Sequence, residues 1–202
     1  RSQLVRPLAF VLEQMGVRVC YDEKLHLITD QAQYEDAIAT GLYSCKLILC
    51  VVSSDMFDVS QSDWPVRYLR TAVQRESDEK MSVIAPIYFG VSPDECKSKY
   101  GELGSYLHNK GVIGSFSSPA LLQPRISHEI EPTILKELAH TVVPNVLKLL
   151  SLPSSSVVAG EIESTIRTKY SPHYPYQQFK ELPIVSQLLC VCVVHMKQHC
   201  II

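Results

Sequence analysis

Six consecutive apolar residues, Leu47 to Val52 (LILCVV), constrain the fold of this chain more than any other stretch. A strand with one wet face alternates apolar and polar residues. An unbroken branched run bounded by polar loops therefore belongs to a parallel strand covered on both sides. Ligands of open parallel sheets bind beyond the carboxyl ends of the strands, so Ser53, Asp55 and Phe57 are expected on that rim. The next helix starts from the same rim. Ser62 or Asp63 can cap it, and Pro65 in its first turn loses only a donor that would be unpaired anyway. Trp64 and Tyr68 lie four apart and share one helix face. Ser53, Asp55, Phe57, Trp64 and Tyr68 are accordingly the candidate ligand-rim residues.

The surrounding sequence supplies layers for such a sheet. Leu4, Leu8, Val11, Leu12 and Met15 recur at helical spacing, Gly16 stops the helix, and Val17 to Tyr21 is a short strand. A polar loop with Asp22, Glu23, Lys24 and Asp30 leads to a helix from about Gln31 to Thr40, closed by Gly41. In the Trp64 helix, Leu69, Ala72 and Val73 face inward, and Arg67, Arg70, Arg75 and Glu76 are expected in water. A further strand, SVIAPIYFGV, precedes Ser92, Pro93 and Asp94. Strand alternating with helix argues for a doubly wound parallel sheet.

Composition removes several function classes. A net charge of −2 without a long basic block offers no phosphate-neutralising stripe, so nucleic acid is set aside as a partner. Cys20, Cys45 and Cys50 lie in apolar runs, where a free thiol behaves as a small hydrophobe. The count of seven cysteines is odd, which favours a reducing, cytoplasmic setting. Cys190, Cys192, His195, His199 and Cys200 could form a ligand set only by chance of an apolar tail, and no metal site is assigned. The run from Leu182 to Val194 is too short for a membrane span and is broken by Pro183, Ser186 and Gln187, so membrane contact by the tail is not expected. His26 and His108 read as loop and helix-surface residues, and no HExxH, GxSxG or glycine-rich phosphate loop occurs.

Three blocks carry a family resemblance. LVRPLAFVLEQMGVRVCYDEKL resembles the first helix and second strand of plant-type TIR (Toll/interleukin-1 receptor) domains, and AIATGLYSCKLILCVVSSDMF is similar to their third helix and strand pair. VIAPIYFGVSPDECKSKYGELGSYL is the most specific block, with Pro86, Val91, Pro93, Gly101 and Gly104 in matching places. The resemblance implies a flavodoxin-like α/β fold, a parallel sheet with helices on both faces. In that family the first strand lies centrally in the sheet. This chain starts at Arg1, within the helix that follows, so the first central strand is expected to be missing and the chain to be a fragment or a natural truncation.

The resemblance also implies chemistry. Many such domains cleave nicotinamide from NAD with a glutamate four residues after the tryptophan, because a carboxylate stabilises the positive charge that builds on the ribose. Here that position is Tyr68. Its hydroxyl, with a reference pKa of about 10, is neutral at cellular pH. No catalytic residue is therefore assigned, NAD is at most a substrate rather than a cofactor, and the chain is expected to be a pseudoenzyme. Glu76 lies roughly 12 Å further along the helix, too far to substitute, and Asp55 and Asp58 read as solvated loop acids. Trp64 and Tyr68 read as packing residues, with an adenine platform as the alternative. The loop carrying Asp22, Leu25, Leu27 and Ile28 is the candidate interaction loop. Family members have an Arg-Gly or Arg-Pro-like pair there, so Leu27 and Ile28 leave only weak self-association through it.

Residues 1–150 are expected to form the TIR-like domain, with 151–202 a linker and irregular tail. Gly111 to Pro124 is expected as loop, and Glu129 to Leu150 as a helix with Pro132 early and a kink at Pro144. The expected function is a signalling module of immune or stress defence that docks other TIR domains or signalling proteins. An NAD nucleosidase and a non-functional truncated product are the alternatives.

Overall fold

The structure, a computed structural model, describes residues 2–21, 30–57, 64–116, 132–152, 159–169 and 190–194. Helix α1 (Ser2–Gln14) buries Leu4, Leu8, Val11 and Leu12, as their spacing predicts. Gly16 ends it with φ +79°, a left-handed conformation that a side chain would resist. Strand β1 (Arg18–Tyr21) follows. Helix α2 (Gln31–Ser44) is capped by Asp30, whose carboxylate accepts the Gln33 amide proton at 2.8 Å. This helix does not stop at Gly41. It continues because Leu42 is fully buried, and burying a leucine outweighs the roughly 1 kcal/mol that a glycine costs a helix interior.

Strand β2 (Leu47–Val52) is buried at every position. A 3-10 turn (Ser54–Phe57) leads towards α3 (Trp64–Glu79), and β3 (Ile84–Phe89) follows. Helices α4 (Pro93–Lys99) and α5 (Gly101–His108) come next, then β4 (Gly114–Phe116). The sequence suggests only loop for that last strand. Its three residues are too few for a periodic signal, and a Cβ on Gly114 would stand 2.5 Å from a Val142 methyl, so the strand fits because it lacks a side chain there. Helices α6 (Pro132–Glu137) and α7 (Val143–Leu149) are joined by a π-helical turn, Leu138–Val142. Pro144 has no amide to donate, and the helix widens just before it, the Val143 amide reaching back to the Leu138 carbonyl.

Within residues 151–202, where sequence shows only linker and irregular tail, the structure places helix α8 (Ala159–Lys169) and strand β5 (Cys190–Val194). Ile162 and Ile166 of α8 are buried, and Glu163 meets the imidazole of His140 at 3.2 Å. A short helix carrying two apolar residues one turn apart has too weak a period to stand out from its linker. No helix among the described residues is long and apolar enough to cross a membrane.

Among the described residues five strands lie in the order β1-β5-β2-β3-β4, and their pairings are parallel. Alternate residues of the strands serve opposite layers. Leu47, Leu49, Val51, Ala85, Ile87 and Phe89 pack with α1, α6, α7 and α8, and Ile48, Cys50, Val52, Ile84 and Tyr88 pack with α2, α3, α4 and α5. This is the expected flavodoxin-like arrangement, with one difference. The strand in the central position, between β1 and β2, is β5, from late in the chain.

Candidate functional site

The carboxyl ends of the strands form the rim on which the candidate residues were expected. Ser53 follows β2, is buried, and its carbonyl accepts the Met56 amide proton at 3.1 Å, which starts the turn back towards α3. Phe57, at the end of that turn, is half-buried. Its ring stacks on Tyr100, with centroids 4.0 Å apart and planes 11° from parallel, and ties the turn to the junction of α4 and α5. Trp64 is the first residue of α3, and Asp55 sits in the 3-10 turn. Asp22, Leu25, Leu27 and Ile28 lie outside the described residues, as do His26, Asp58, Ser62 and Asp63.

Tyr68 is one helical turn into α3. Its side chain is only 7% exposed and belongs to the cluster that includes Tyr34 and Ile38 of α2. Burial, and then the negative charge of Glu35, push its phenol up to about 12, against the opposing pull of Arg67. The group is thus neutral throughout the physiological range. It can take part in hydrogen bonds, but it supplies no fixed negative charge. Glu35 was not singled out in the sequence. It sits one turn into α2 as Tyr68 sits one turn into α3, and only the packing of the two helices brings them together.

Arg75 and Glu76, expected in water, are buried. Arg75 reaches the Leu42 carbonyl and pairs with Glu79 at 3.0 Å. Glu76 accepts the amide protons of Val83 and Ile84, the Tyr106 hydroxyl proton and the Lys110 ammonium. Burial alone would raise its pKa, but Lys110, Tyr106 and the two amides outweigh that and hold its carboxyl below the usual range. Because Val83 and Ile84 open β3, this knot lies at the opposite end of the sheet from the rim and is structural. Partners 30 and 34 residues away in the chain cannot be read from helical period.

The buried thiols are inert packing groups. Desolvation pushes Cys50 up to about 12 and Cys96 up to about 11. His108 meets Asp94 at 3.2 Å, a link between α5 and α4.

The family model of the TIR domain matches residues 1–111. The chain belongs to the TIR domain family. Comparisons with curated proteins and with solved structures return no match. In this TIR domain the block from Val83 to Leu107 owes its residues to backbone geometry. Ser92 and Glu95 form a reciprocal capping box, with Pro93 in the first turn of α4. Gly101 turns the chain with φ +59°, and Gly104 lets α5 pass so close to α4 that an added Cβ would sit 2.1 Å from the Cys96 carbonyl oxygen. Signalling and interaction through partner proteins, or chemistry related to NAD, are the activities this family carries.

Proposed function

We propose that this TIR domain is a docking module of immune or stress signalling that binds other TIR domains or signalling proteins, works in the cytoplasm, and has lost NAD cleavage. The observation that carries the reading is Tyr68, buried and held neutral where the resemblance calls for a carboxylate. The folded unit is taken as residues 1–150 together with helix α8 and the strand supplied by the tail. Docking would use the outer faces of α2 and α3, where Asp36, Thr40, Arg67 and Arg70 are exposed. Reversing the charge at one such position tests this. Arg70→Glu should weaken association with a TIR partner about ten-fold, measured by titration calorimetry or sedimentation. Its melting temperature should stay within about 2 °C, because the side chain is exposed. Unchanged association would remove the α3 face from the interface.

A second reading, an NAD nucleosidase, rests on Glu35, whose charge is felt at Tyr68 and which could act from α2 in place of an acid on α3. Nicotinamide release abolished by Glu35→Gln would favour it.

A further inference from the structure

Strand β5 reaches its place after twenty residues between Lys169 and Cys190. Extended, that stretch spans up to roughly 70 Å, so the connection itself does not dictate where the strand goes. What holds it is main-chain pairing on two sides. Arg18, Val19, Cys20 and Tyr21 are in register with Cys190, Val191, Cys192 and Val193. On the other edge Leu47, Ile48, Leu49 and Cys50 pair with Val191, Cys192, Val193 and Val194. Without β5, β1 and β2 would be two strand spacings apart, roughly 9.6 Å, with inward edges unpaired.

We propose that this slot is a strand-binding site whose resident ligand is the chain's own Cys190–Val194, and that the resident strand exchanges with a free strand of the same sequence. Recognition comes from the two ladders: a parallel strand of about five residues, apolar because it lies in the interior of a sheet covered on both faces, and free of proline. The seat is closed when the tail is in and exposes two edges when the tail is out. The tail is therefore a built-in switch between a closed sheet and one that accepts a strand in trans.

The intact chain offers the first test, by hydrogen exchange. Amides of Cys190–Val194 should be protected yet exchange faster than those of Leu49–Val51, because the strand leaves its slot without global unfolding, and a tail with no protection, or one that exchanges only as slowly as the core, would overturn the proposal. The second test is the full chain carrying Val191→Pro and Val193→Pro, which takes two donors from an interior strand. Its melting temperature should fall by about 10 °C. A synthetic peptide spanning residues 187–197, added in excess, should recover at least half of that loss, and a scrambled peptide should recover none. A variant that melts within about 2 °C of the unaltered chain, or a destabilised one that the peptide fails to rescue, would overturn the proposal.

Discussion

Glu76→Ala is expected to lower the stability of the domain by about 3 kcal/mol, measured by denaturant unfolding at pH 7. The carboxylate accepts from two amides at the start of β3, from Tyr106 and from Lys110, so its removal leaves four donors without their acceptor at once. Lys110 limits the loss. Its side chain is 19% exposed and can turn partly to water, whereas the Val83 and Ile84 amides are buried and cannot. Glu76→Gln, which keeps the shape but not the charge, should fall between the two. The pH dependence follows from the lowered folded pKa. Stability from this carboxylate is present above its unfolded pKa of about 4.3 and is lost as pH falls through the lower folded value. The unaltered chain should therefore weaken in acid more steeply than Glu76→Gln. A loss below about 1 kcal/mol for Glu76→Ala would mean that the knot is not formed as described.

Gly104→Ala is the second large effect, and two terms of opposite sign decide it. Alanine favours a helix over glycine by about 1 kcal/mol. Against that, its Cβ would stand 2.1 Å from the Cys96 carbonyl oxygen and 2.9 Å from the carbonyl carbon, both backbone atoms that can move only with α4 itself. Overpacking of this kind costs about 3 kcal/mol, so the net loss should be about 2 kcal/mol, or about 4–8 °C in melting temperature. Gly101→Ala should cost about 1 kcal/mol, because its φ of +59° is the only obstacle and no atom lies within 4 Å of the new Cβ. Equal effects at the two glycines, or a stabilised Gly104→Ala, would contradict the close crossing of α4 and α5.

Much of the fold was legible because its signals are local. The LILCVV run and its twin in IAPIYF belong to strands buried on both faces, and the stripe from Leu4 to Leu12 belongs to a helix on one of them. Gly16 and Gly101 mark positive φ, where a side chain resists the backbone. The readings that failed depend on partners far away in the chain. Gly41 looked like a stop until Leu42 found the sheet, and Arg75 and Glu76 looked wet until Leu42, Tyr106 and Lys110 came round to them. Strand β5 is the extreme case. Its residues fall within the apolar run from Leu182 to Val194, and nothing within the tail says that its place is between β1 and β2. At the rim, sequence identified Tyr68 as a departure from the family pattern, whereas the stacking of Phe57 on Tyr100 and the approach of Glu35 required two loops and two helices to be brought together.

The central claim is that a neutral phenol at position 68 leaves this TIR domain without the negative charge that glycosidic cleavage of NAD needs. Nicotinamide release from NAD by the unaltered chain and by Tyr68→Glu, assayed side by side, tests it most directly. The unaltered chain should stay at the level of the protein-free control, and Tyr68→Glu should rise at least about ten-fold above it, since one well-placed electrostatic group is worth about a hundred-fold or more in an optimised site. Turnover by the unaltered chain at about 1 s⁻¹, a rate ordinary for an enzyme, would contradict the account.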